Sequence, residues 1–155
     1  MQDFFLQLEF LCKFALTKTS INQKLKMKLK EKELIAITHL AFYIISADGI
    51  ATEEEYSAIG TELLTFGLNT EHIVSTIEAA NDMTLEEAVA ICRTMSAPQK
   101  TYACSVMGYI VASDGDIDDD EMKVWAEIVE KCNFPDMSIQ DALDNINFVN
   151  KTLEE

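Results

Sequence analysis

Between Asp114 and Glu121 the chain reads "DGDIDDDE", six carboxylates in eight residues, just after the apolar run "VMGYIVA". Sixty-six residues earlier a sparser version, "ADGIATEEE", runs from Ala47 to Glu55. Hard oxygen donors at this density suit calcium or magnesium better than zinc or copper. They also suit the start of a helix, and the two uses fall on different residues. Thr52 with Glu55, and Asp118 with Glu121, have capping-box spacing, in which the cap side chain takes an amide three residues on and the glutamate reaches back. Glu53, Glu54, Asp119 and Asp120 belong to first helical turns, where the helix dipole favours an acid by about 0.3–1 kcal/mol each. Asp48 and Asp114 stand instead where a helix ends, and there the dipole disfavours them by a similar amount. Bringing Asp114 within ~5 Å of Glu121 costs about 3 kcal/mol at an effective dielectric near ~20. A bound divalent cation reverses that sign. The candidate ligands are therefore Asp114, Asp116, Asp118 and Glu121 in the second turn and Asp48 and Glu55 in the first, with calcium or magnesium as the ion.

Set on the calcium loop of an EF-hand, Gly115 falls on the sixth position and Glu121 on the twelfth, but the first and third positions become Ile110 and Ala112, inside an apolar segment. Half the ligands of such a loop are missing, so water, main-chain carbonyls or the other turn would have to complete a site of modest affinity. Catalysis has little to stand on. The two histidines have no nucleophile at recognisable spacing: His39, within an apolar run, is expected as a satisfied core residue and His72, at the head of an amphipathic one, as exposed, and there is no glycine-rich phosphate loop or Gly-x-Ser-x-Gly turn.

The elements that position these acids read as helices throughout, an all-α class. "LIAITHLAFYIISA" (Leu34 to Ala47) and "YACSVMGYIVA" (Tyr102 to Ala112) are apolar nearly all round, which predicts two helices buried at the centre of one domain. The second starts cleanly, with Ser96 as N-cap, Pro98 in the first turn and Gln99 three residues after the cap. Further helices are predicted in "EHIVSTIEAA", "TLEEAVAICRTM" and "SIQDALDNINFV", and an N-terminal amphipathic one carries Phe4, Phe5, Leu8, Leu11, Cys12, Ala15 and Leu16. A shift of 66 residues places Tyr43, Ile44, Asp48, Gly49 and Glu55 on Tyr109, Ile110, Asp114, Gly115 and Glu121 without a gap. The stripe Tyr56, Ile59, Leu63, Phe66 then falls on Met122, Trp125, Val129, Cys132, and Gly67-Leu68 on Asn133-Phe134, the pattern of a Schellman ending. This predicts a duplicated helix–turn–helix unit, with repeats at about 33–80 and 98–146 inside a domain 33–155, preceded by the helix and lysine-rich connection of residues 1–32.

Charge narrows the partners. The chain carries 27 acids against 12 bases, a net −15, the wrong sign for nucleic acid. Residues 1–32 hold seven lysines against three acids, while 33–155 hold five bases against 24 acids. The alternating "KLKMKLK" of Lys24 to Lys30 reads either as a strand that could dock on an anionic surface or, better, as a lysine-coated helix lead-in whose Leu25 and Leu29 touch the core. Peripheral membrane association stays open on that basis, but no apolar run reaches the ~20 residues of a membrane span. Cys12, Cys92, Cys104 and Cys132 form no CxxC pair, so buried free thiols in a reducing, cytoplasmic setting are expected. Trp125 is expected in the core, and the scattered methionines as gap-fillers.

"SADGIATEEE" and "ASDGDIDDDE" together resemble the signature of the TerB-like tellurite-resistance domains: a hydrophobic helix ending in Ala-Asp-Gly, a short turn with an apolar residue, and a helix opening on Ser, Thr or Asp with a glutamate three further on, given twice. The resemblance spans about residues 33 to 147. It implies a multihelical domain around two long hydrophobic helices, acidic turns that hold metal, and a place in bacterial tellurite and chemical-stress systems as a non-catalytic binding module with protein partners. The alternative is a metal-independent acidic adaptor that recruits a basic protein, the turns serving as caps alone.

Overall fold

The computed structural model describes residues 29–47, 49, 52–65, 68–113 and 115–154, the side chains of 70 and 150–154 excepted. The predicted N-terminal helix, the lysine run up to Lys28, Cys12, Asp48, Phe66, Gly67 and Asp114 lie outside the described residues. Among the described residues there are seven helices and no strand: α1 (Glu31–Ile45), α2 (Glu53–Thr65), α3 (Thr70–Asp82), α4 (Leu85–Arg93), α5 (Ala97–Ala112), α6 (Asp119–Cys132) and α7 (Ile139–Glu154). The all-α reading holds. Residues 29 and 30 are irregular, and Leu29 packs half-buried on the core as the lead-in to α1, not as a strand.

The helix starts follow from local side chains. Ser96 accepts from the Gln99 amide at 3.3 Å while Gln99 takes the Ser96 amide at 2.9 Å. Asn69 takes the His72 amide at 2.9 Å and Thr84 the Glu87 amide at 3.1 Å. Ser138 and Asp141 cap each other at 3.1 and 3.2 Å. Each such cap is worth about 1 kcal/mol. The starts of α1 and α2 at 31 and 53 recur 66 residues on in α5 and α6, at 97 and 119. The exits match too: Leu68 donates to the Leu63 carbonyl and Phe134 to the Val129 carbonyl, the latter across Asn133 in the left-handed region at φ 56°. That is the Schellman ending expected there.

α1 and α5 form the centre. α1 packs on α3, α4 and α5, and α5 on α7, α1 and α2. Leu40, Ile44 and Ile45 of α1 and Met107, Ile110 and Val111 of α5 are completely buried, as the apolar runs require. α5 and α7 meet at Gly108, where a Cβ would stand 2.6 Å from the Ala142 methyl and 2.9 Å from the Trp125 ring. The absence of a side chain there lets α7 and the indole of α6 close on α5. No helix among the described residues is long and apolar enough to cross a membrane.

The acidic turns as a candidate cation site

Each turn hangs from the end of a central helix. α1 runs out at Ser46, still in the right-handed region, and Gly49 at φ 76° donates back to the Ser46 carbonyl at 3.1 Å. α5 runs out at Ser113, and Gly115 at φ 80° donates to the Ala112 carbonyl at 3.1 Å. A Cβ at either glycine would meet nothing within 4 Å, so the positive φ alone calls for glycine.

The second helix of each unit then opens on its cap. Thr52 accepts from the Glu55 amide at 3.2 Å, and one oxygen of the Glu55 carboxylate receives both the amide and the hydroxyl of Thr52 at 3.0 Å. Asp118 accepts from the amides of Asp120 and Glu121 at 2.8 and 3.0 Å. Thr52 and Glu55 thus form the full box expected, and Asp118 supplies the expected cap of α6. What the sequence does not convey is depth: Glu55 is only 1% and Glu121 only 3% exposed. Glu55 is the sharper case, because its second oxygen, Oε2, is buried with no hydrogen-bond partner among the described residues.

The remaining candidates divide. Asp116 is exposed beside the half-exposed Ile117, and Asp118 is half-buried with one oxygen committed to the first turn of α6. Asp48 and Asp114 fall outside the described residues. Among the described residues no three His, Cys, Asp or Glu side chains stand close enough to hold a metal ion. Asp116, Asp118 and Glu121 thus do not assemble a carboxylate cage by themselves, because the cap role turns Asp118 toward the helix.

Two features of the interior were not foreseen. Glu62 lies two turns after Glu55 on α2, 4% exposed, and accepts from the Tyr102 hydroxyl of α5 at 2.6 Å. Burial, reinforced by the Glu62 charge and hydrogen bond, holds the Tyr102 phenol well above its ordinary range, and burial with the same charge raises Tyr109. The pair borders a cavity of about 20 Å³ between α1, α2 and α5, lined by Ile37, Ala41, Ile59 and Val106 among others, room for a water and no more. The seven-residue spacing from Glu55 was the available signal for Glu62. His39, expected as a satisfied core residue, bonds the Ala80 carbonyl of α3 through Nδ1 at 2.8 Å, while its Nε2 is buried with no hydrogen-bond partner among the described residues. His72 is exposed and Trp125 is core, as expected.

Comparison with known proteins agrees with this architecture. The family described as "Tellurite resistance protein TerB" matches residues 34–144. A crystal structure of a protein of unknown function from Porphyromonas gingivalis is similar at a TM-score of 0.72 and 32% identity, covering 79% of this chain and 98% of that one. No curated protein matches. The matched span holds both Asp-Gly turns, α1 from Leu34 onward, the whole of α5 and the caps between them, and the chain belongs to the TerB family of tellurite-resistance proteins.

Proposed function

We propose that the protein is a non-catalytic binding module of a tellurite or chemical-stress response system, and that its Asp-Gly turns hold divalent cations, calcium or magnesium. The observation that carries the cation reading is Glu55. A carboxylate taken out of water costs several kcal/mol unless its oxygens are matched. Thr52 matches one oxygen of Glu55 and nothing among the described residues matches the other. A cation beside the turn would use that oxygen, with Asp48 and main-chain carbonyls of the turn as further donors. In the second turn the donors would be Glu121, buried like Glu55, with Asp114 and Asp116. Half of each ligand set would be water, so affinity would be modest and the ion exchangeable. With protein partners, the net charge of −15 favours basic surfaces and association that weakens with salt.

The test is thermal melting with and without divalent metal, at matched ionic strength. At a metal concentration of 100 times the dissociation constant the native state gains about 2.7 kcal/mol, a rise of about 5–10 °C for a chain of this size. Glu55→Gln and Glu121→Gln keep the shape of the side chain and remove its charge, and each should take away part of the rise. An unchanged melting temperature at ~10 mM calcium and magnesium, far above the range of most calcium modules, leaves the metal-independent acidic adaptor as the reading.

A further inference from the structure

The segment from Asn133 to Ser138, between α6 and α7, lies across α5 and is fastened to it at two successive residues. The Cys104 thiol donates to the Pro135 carbonyl at 3.5 Å, and burial pushes that thiol up to about 12, so its proton stays on. Beside it the Ser105 hydroxyl stands 3.4 Å from the Met137 sulfur in hydrogen-bonding geometry. Ser105 is completely buried. Its hydroxyl also reaches the Thr101 carbonyl at 2.7 Å, while Asn145 of α7 donates to its oxygen through Nδ2 at 3.0 Å. One proton thus serves two acceptors. The Thr101 carbonyl does not depend on it, because within α5 that carbonyl also takes the Ser105 amide. The hydroxyl can therefore turn to the Met137 sulfur and leave no group of the helix unmatched.

Met137 is half-buried: it packs on the core, but its neighbours Asp136 and Ser138 are exposed and its backbone is irregular. A small oxidant can approach without unfolding the chain. Met95 and Met107 differ in being buried. Met83 and Met122 are half-buried, but no hydroxyl donates to their sulfurs among the described residues. A thioether sulfur has two lone pairs, and oxidation at one or the other gives the two epimers of the sulfoxide. The Ser105 hydroxyl covers the lone pair that faces α5. We propose that Met137 is an oxidative modification site, at which a hydroperoxide forms the sulfoxide epimer whose oxygen lies on the solvent side. The outer lone pair attacks one peroxide oxygen, the O–O bond breaks, and the proton of the attacked oxygen passes to the departing one. Two electrons move from sulfur to peroxide, and the products are the sulfoxide and one alcohol, or water when the oxidant is hydrogen peroxide. The added oxygen points away from the interface of α5 with α7, so the fold is kept. A single epimer is returned to the thioether by only one of the two epimer-specific classes of reductase.

Peptide mapping of the full chain after graded hydrogen peroxide tests this. Trypsin leaves Met137 as the single methionine of residues 132–151, with Met83 on 33–93, Met95 on 94–100 and Met107 and Met122 together on 101–123. Among the methionines of residues 33–155, fragment ions should place the first added oxygen on Met137. The oxidised 132–151 peptide is then divided between two methionine sulfoxide reductases, each specific for one epimer. One should clear most of the sulfoxide and the other only the remainder, whereas peptide from a chain oxidised in urea should be cleared equally by both. Ser105→Ala should bring the folded protein toward that equal division; if this variant does not fold, the wild-type ratio decides alone. Oxygen appearing first on Met83 or Met122 overturns the inference, as does an equal division in the folded wild type or a bias that a folded Ser105→Ala leaves unchanged.

Discussion

Gly108→Ala examines how the central helix is held beside its neighbours. In isolation the change should help, since alanine in a helix interior is better than glycine by about 1 kcal/mol. The added methyl, however, would sit 2.6 Å from the Ala142 Cβ and 2.9–3.0 Å from two carbons of the Trp125 ring, where ordinary contact begins near 3.4 Å. The nearest obstacle is a Cβ fixed to the α7 backbone, so α7 must retreat by nearly an ångström or the indole must leave its place. Such overpacking costs about 1–3 kcal/mol, and the displaced contacts of α5 with α7 are the most extensive among the described helices. The net expectation is a loss of about 1–2 kcal/mol, a melting temperature lower by about 2–8 °C, with Trp125 emission shifted as the ring moves. Ala142→Gly in the same chain should recover part of the loss, with a coupling energy above about 0.5 kcal/mol in the double-mutant cycle. A Gly108→Ala protein as stable as the parent, or more stable, refutes the close approach of these helices.

Other consequences concern the buried pairs and the helix ends. Tyr102→Phe removes the donor at 2.6 Å from Glu62 and should cost about 1.5–3 kcal/mol in urea unfolding, as for hydrogen bonds to charged groups. The raised phenol of Tyr102 and the thiol of Cys104 at about 12 also set a pH dependence. These protons stay on in the folded chain but leave the unfolded one from about pH 8.5–10 upward, so stability is intact below that window and falls as pH rises through it. The urea midpoint should drop between about pH 9 and 11, and Tyr102→Phe should shallow that decline; a flat profile contradicts the buried phenol. Asn133, left-handed at φ 56°, should tolerate glycine and lose about 1–2 kcal/mol on change to valine, read from the same unfolding curves.

Much of the fold could be read from the chain because the signals are local. Helical periods, the Ser96 box, the Asp-Gly ends and the Asn133-Phe134 exit each depend on residues within a turn or two. α1 and α5 proved central because a helix apolar on every side has nowhere else to go. The candidate site was legible only in part. Spacing identified Thr52 and Glu55 as a cap pair, but the burial of Glu55 arises from packing on residues distant in sequence. The lysine alternation left a strand and a helix lead-in open, the lead-in being the better reading, and Leu29, where the described residues begin, enters the core as the approach to α1. Glu62 and Tyr102 are separated by forty residues. Their contact is a product of helix packing, which no short motif encodes.

The most direct measurement of the cation claim is anomalous diffraction from crystals grown in millimolar calcium, with manganese substituted in a parallel set. A peak is expected within coordination distance of about 2.3–2.6 Å of the free Glu55 oxygen, of the Glu121 carboxylate, or of both, and it should disappear from the altered turn in Glu55→Gln or Glu121→Gln. Ordinary solvent beside both glutamates at full metal concentration contradicts it.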